Sequence, residues 1–169
     1  ATCEVSVIQS LPFGGKPFTI PGLIEAEDFD IGGEGKAYHD VDANNIGKSY
    51  RTEEGVDIEA NNWGGYTVFS FVEDEWLMYS VNVAKTGSYF IHMNVASVNS
   101  SNKFYIEVDG EKATGDITFN GTDKEQNFEI LEIEDVNLSK GLHALKLVCE
   151  AGDFSINWIS IYEMGTIIP

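Results

Sequence analysis

The chain has 169 residues, 43% hydrophobic and 22% charged, which is enough apolar material for one globular domain with a real core. Ten Lys and Arg against 28 Asp and Glu leave a formal charge of −18, so a phosphate backbone or an anionic membrane surface is repelled and nucleic acid is excluded as a natural partner. No apolar run reaches the roughly 18 residues that a membrane span requires.

Residues 1–20 contain Pro12, Gly14, Gly15 and Pro17 and read as an N-terminal linker or extension, or a loosely tied strand, with the folded module expected over residues 21–165. No basic flank followed by an apolar stretch opens the chain, so a secretory leader is expected to be absent or already removed. Cys3 and Cys149 are too few for a disulfide framework. Cys149 alternates with Leu145 and Leu147 and reads as a buried thiol; a Cys3–Cys149 bridge stays open, and would place the chain outside the cell.

The stretch from Ile31 to Gly65 is turn-rich and long for a connection, and loops of that length usually carry function. Within it Asp40, Asp42, Asn44 and Asn45 read first as turn chemistry, with Asx side chains bonding their own backbone. Period-two alternation then recurs over Trp76–Val83, Tyr89–Ala96, Phe104–Val108 and His143–Cys149, separated by Gly, Asn and Asp turn signals. No window carries a capped amphipathic helix. The pattern predicts an all-β domain, a β-sandwich of jelly-roll type with two antiparallel sheets.

Alternation also sorts side chains by face. Leu77, Tyr79, Val81 and Val83 are the apolar set of the first of these strands, so Trp76 and Met78 point outward. The same argument sends Phe90 and His92 outward on the second, and Tyr105 and Glu107 on the third. If those strands share a sheet, its outer face is far too aromatic for a plain solvated surface and is a candidate binding face. No nucleophile elbow, zinc-protease signature or phosphate loop is present.

Ile24-Glu25-Ala26-Glu27-Asp28-Phe29, Gly35 to Asp40, Tyr50-Arg51, Gly64-Gly65-Tyr66, Glu75-Trp76-Leu77, Val95-Ala96-Ser97, Gly141-Leu142-His143 and Phe154 to Ile159 occur in an order that resembles family 6 carbohydrate-binding modules, over about residues 23–163. The resemblance implies a jelly-roll sandwich, a structural calcium and non-catalytic binding of a polysaccharide. It also implies service to a covalently linked catalytic domain, with the module secreted or at the cell surface. A monomer is expected, and net charge favours a neutral glucan or galactan. Two other classes stay open on the residues alone: a small jelly-roll glycosidase or lyase, and a surface adhesion domain.

Two binding places follow from the resemblance. On the concave sheet face Trp76 and Glu107 match the family's aromatic and acid, with Tyr105 and His92 as expected neighbours. At the loop edge the family's ring, tryptophan and asparagine positions carry Ser70, Glu125-Gln126-Asn127-Phe128 and Ser155 here. An edge cleft would have to be rebuilt from Tyr38, Trp63, Phe69 or Phe71, with Glu125. The concave face is therefore favoured, since pyranose C–H faces need an exposed ring to lie on. For the calcium, Glu25 and Glu27 share one face of a strand in period-two register and suit an oxygen-coordinated cation, and the resemblance adds Asn157.

Overall fold

The computed structural model describes residues 10–165. In chain order the strands are β1 (Phe18–Ile20), β2 (Gly22–Glu25), β3 (Tyr38–His39), β4 (Ile58–Ala60), β5 (Tyr66–Val72), β6 (Trp76–Val83), β7 (Gly87–Ala96), β8 (Asn102–Val108), β9 (Glu111–Lys112), β10 (Ile117–Phe119), β11 (Glu129–Leu138), β12 (Gly141–Ala151) and β13 (Asp153–Glu163). The front sheet runs β1-β6-β12-β8-β10, with β3 beside β6 and β9 beside β8. The back sheet runs β11-β7-β13-β5-β4, with β2 beside β13. All pairings are antiparallel except β1 with β6. This is the expected jelly-roll sandwich.

Each long strand buries one face. Leu77, Tyr79, Val81 and Val83 of β6 meet Tyr89, Ile91, Met93 and Val95 of β7 in a core shared by both sheets. Phe71, Phe104, Phe119 and Phe154 pack edge-on or tilted with centroids 5.2–6.2 Å apart, a geometry aromatic pairs prefer. Cys149 is buried there and its thiol donates towards the carbonyls of Phe71 and Ala151. Burial pushes that thiol up to about 12. Its pairing with Cys3 lies outside the described residues.

Two expectations change. First, Phe90 and His92 do not share a sheet with Trp76. Consecutive long strands alternate between sheets, β6 front, β7 back, β8 front, so phase along a strand tells inside from outside but not front from back. Second, residues 10–20 are not a linker: Ile20 is fully buried, Phe18–Ile20 pair with Val81–Val83, and Leu11 bridges Ile31. The turn chemistry expected within the Ile31–Gly65 stretch is present. Asn45 Oδ1 accepts the N–H groups of Lys48 and Ile58, and Asp40 Oδ1 accepts that of Asp42, so the Asx side chains serve the backbone around them.

Candidate functional site

Asp30 is fully buried, yet every oxygen of its carboxylate is engaged. Oδ1 accepts the Ser80 N–H at 2.8 Å, and Oδ2 accepts the hydroxyls of Ser80 at 2.7 Å and Ser10 at 2.6 Å. Leu11 and Ile31 exchange two backbone bonds of 2.7 Å. A buried charge persists only when bonded in this way, and here it fastens the N-terminal segment to β6. Pro12, Pro17 and Lys36 are thereby held along one border of the front sheet's outer face.

Across that face lies the turn at Asp109, whose Oδ2 accepts from His143 Nδ1 at 2.6 Å and whose Oδ1 accepts the Ala144 N–H at 2.9 Å. His143 Nε2 lies 2.7 Å from the Ser139 carbonyl. Nδ1 faces the Asp109 carboxylate, and Nε2 faces the Ser139 carbonyl with the Ser139 hydroxyl 3.2 Å away, an arrangement that favours the charged imidazole. The Asp109 bond accordingly raises the His143 pKa; burial opposes the reverse effect on Asp109, but the His143 and Ala144 donors still hold its carboxyl below the usual range.

Between the two borders runs an open trough of about 900 Å³. Its floor is Trp76, Met78 and Ser80 of β6 with Ala144 and Lys146 of β12. The Lys146 Nζ stands 4.4 Å from the centroid of the half-buried Trp76 ring. Such a contact contributes about 0.5–1 kcal/mol at an exposed site, little enough for a ligand to replace.

The register locates the other concave-face candidates. Trp76, Val148 and Tyr105 form one row across β6, β12 and β8, and Met78, Lys146 and Glu107 the next. Tyr105 and Glu107 thus share the outer face with Trp76 but stand beyond the trough, and Lys112 Nζ caps the Tyr105 ring at 3.9 Å. His92 is on the opposite side of the sandwich, where its Nε2 meets Glu132 of β11 at 2.8 Å, and drops out of this site.

The edge-cleft candidates divide. Tyr38 is 5% exposed, lies edge-on to Phe29 and accepts the Gly55 N–H through its hydroxyl; Phe71 is 2% exposed and packs on Phe154. Both are core rings, because their strand phase points them between the sheets. Ser70, Ser155 and Glu125 do converge, with Glu59 and Asp153, on a cleft of about 170 Å³. Burial and the Glu125 charge raise the Asp153 pKa there. Trp63 is 64% exposed, but its ring meets Phe128 edge-on at 5.7 Å, and Asn62, Gln126 and Glu59 form a hydrogen-bonded chain between the loops. Trp63 and Phe128 are thus engaged with each other, while Phe69 lines the cleft.

Of the calcium candidates, Glu25 ends β2 and is exposed, whereas Glu27 sits in the turn beyond it and is 6% exposed. Burial first, then the Glu25 and Asp28 charges, raise Glu27 to about 7 against the pull of backbone donors. Glu27 Oε2 is buried with no hydrogen-bond partner, a costly state for a carboxylate oxygen that a cation would relieve. The Asn157 carbonyl accepts the Ala26 N–H at 3.0 Å, so β13 passes beside the same turn. Among the described residues no three acidic, imidazole or thiol groups converge as a metal centre. Two carboxylates completed by amide and carbonyl oxygens remain a donor set suited to calcium.

Among the trough residues, Lys36 and Lys146 were not nominated by the sequence, whereas Met78 was already placed on the outer face. Lys146 was accessible to it, being the outward member between Leu145 and Leu147. Lys36 was not, since its place depends on the Asp30 clasp.

Residues 47–163 match the family described as carbohydrate binding module (family 6). The C-terminal family 6 module of LamC, a marine laminarinase from Zobellia galactanivorans, is 26% identical with a TM-score of 0.65, over 84% of this chain and 98% of that one. The CBM6cm-2 module of Cellvibrio mixtus lichenase 5A, solved with cellotriose, is also 26% identical, with a TM-score of 0.63 over 85% and 98%. A Clostridium stercorarium module solved with cellobiose, at 16% identity and a TM-score of 0.68 over 88% and 98%, shares the fold. No curated protein matches. The match over most of its length, on the fold just described, makes the chain a member of family 6 of the carbohydrate-binding modules.

Proposed function

We propose that the trough over the front sheet is where this non-catalytic module holds its polysaccharide. The observation that carries this reading is the contrast between an open trough of about 900 Å³ floored by an indole and a methionine, and an edge cleft of about 170 Å³ edged with carboxylates. A pyranose ring lays its apolar C–H face on Trp76, while Ser80 and Lys146 offer hydroxyl, ammonium and backbone groups to its rim. The backbone sugars are neutral glucose or galactose units; the cellotriose held by the Cellvibrio mixtus module supports a β-linked glucan.

A calcium ion held by Glu25, Glu27 and Asn157 completes the reading, with Glu27 Oε2 as its least replaceable donor. The cation supplies charge neutralisation in the turn after β2 and ties it to β13. The module is secreted and monomeric, and joined to a catalytic domain it raises the local concentration of substrate without doing chemistry.

Affinity electrophoresis against laminarin, barley β-glucan and agarose tests the site. Trp76→Ala is expected to abolish retardation on the polymer that slows the wild type, with Trp63→Ala leaving it intact. The opposite pattern would move the site to the edge.

A further inference from the structure

The trough carries a charge opposite to that of the molecule around it. In a chain with ten Lys and Arg against 28 acids, the residues lining it include Lys36, Lys146 and His143 but only one carboxylate, Asp109. Asp109 is already committed to His143 and the Ala144 N–H. Among the described residues no carboxylate lies within 4 Å of the ammonium of Lys36 or Lys146. Their neighbours on the same sheet behave differently: Lys103 pairs with Asp116 and Glu150 at 3.0 and 2.9 Å, and Lys112 pairs with the same two at 3.1 and 3.7 Å. Lys146 instead rests on the Trp76 ring that a sugar would cover.

We infer that the trough selects a polysaccharide bearing an anionic substituent, a carboxylate or a sulfate ester, received by Lys36 and Lys146. The inference rests on the trough being the binding site and adds the chemistry of its ligand. The net charge of −18 opposes it only at long range. At physiological ionic strength the screening length is about 8 Å, so acids on distant faces are muted while two ammonium groups lining the trough act at contact. The exchange is also self-consistent. A sugar stacking on Trp76 displaces Lys146 from the ring, and a substituent on that sugar gives the displaced ammonium a stronger partner than the ring it leaves. An uncharged ligand displaces the same ammonium and returns only neutral hydroxyl acceptors, a weaker exchange.

The test uses polymers matched in backbone that differ in charged substituents: laminarin, carboxymethyl laminarin and sulfated laminarin, with agarose and sulfated agarose as a second set. Dissociation constants are measured at 150 and 500 mM NaCl for the wild type, Trp76→Ala and the double variant Lys36→Gln/Lys146→Gln, with thermal melts confirming that each is folded. The wild type is expected to bind at least one anionic polymer tenfold or more tightly than its neutral parent at 150 mM, to lose most of that preference at 500 mM, and to lose it entirely in the double lysine variant. Which charged derivative is preferred separates carboxylate from sulfate. Equal binding of neutral and anionic forms by the wild type, or a preference surviving in the double variant, overturns the inference while leaving the trough as the site. Binding unaffected by Trp76→Ala overturns the site, and the inference with it.

Discussion

Removal of calcium should soften the protein by an amount the Glu27 environment sets. Its carboxyl is raised from 4.5 to about 7, chiefly by burial. That displacement corresponds to about 3 kcal/mol against the charged form at pH 8, taking roughly 1.36 kcal/mol per pH unit. A cation bound at 100 times its dissociation constant returns about 2.7 kcal/mol. For a domain of this length, where 1 kcal/mol moves the midpoint by roughly 2–4 °C, the melting temperature should fall by about 5–10 °C in EDTA relative to millimolar CaCl2. Because the raised acid holds its proton more tightly when folded than unfolded, stability in EDTA should decline as pH rises from about 4.5 through about 7 and level off above it. Calcium should flatten that decline. Glu27→Gln should melt near the same temperature with and without calcium, and at pH 8 no lower than the wild type in EDTA. A melting temperature indifferent to calcium at pH 8, or a Glu27→Gln protein that responds as the wild type does, would refute the reasoning.

Other consequences test separate parts of the architecture. Tyr38→Phe leaves the Gly55 N–H without its acceptor and should cost about 1–3 kcal/mol in urea unfolding while leaving polysaccharide affinity within twofold; a tenfold loss of affinity would return Tyr38 to the binding site. Asp30→Ala removes both oxygens that accept the Ser80 N–H and the Ser10 hydroxyl, so backbone amides of Leu11 and Ile31 should exchange faster with solvent, and unchanged protection would contradict the clasp. The raised His143 pKa makes its contribution complete below its ordinary value of 6.5 and lost as pH climbs through the higher folded value. His143→Gln should therefore flatten the urea midpoint profile above pH 6.5, and an unaltered slope would sink the charged Asp109–His143 pair.

The strands with unbroken alternation were legible in advance. β6 was bounded correctly because its inward and outward residues keep phase from Trp76 to Val83, and the cores of β7, β8 and β12 were read for the same reason. β11 was not, since a bulge between Ile133 and Val136, with Asp135 in the left-handed region, shifts its inward set from Ile133 to Val136 and breaks the period. At the site, the outward phase of Trp76 carried over directly to the trough floor. The grouping of His92 with it failed because phase cannot say which sheet a strand joins. Tyr38 and Phe71 stand near loop positions in the sequence, but their burial is decided by tertiary partners: Phe29 of the β2–β3 connection against Tyr38, and Phe154 of β13 against Phe71. The clasp of Ser10, Asp30 and Ser80 spans 70 residues and leaves no local pattern to read.

The three tryptophans are placed to distinguish the possible binding faces: Trp76 on the trough floor, Trp63 on the edge loops and Trp158 on β13 of the back sheet. Titration of 15N-labelled protein with an oligosaccharide of the responsive polymer, followed at the three indole N–H resonances, reads all of them at once. The trough account predicts that Trp76 shifts in a saturable manner while Trp63 and Trp158 stay within error. A saturable shift at Trp63 with Trp76 unmoved would contradict it.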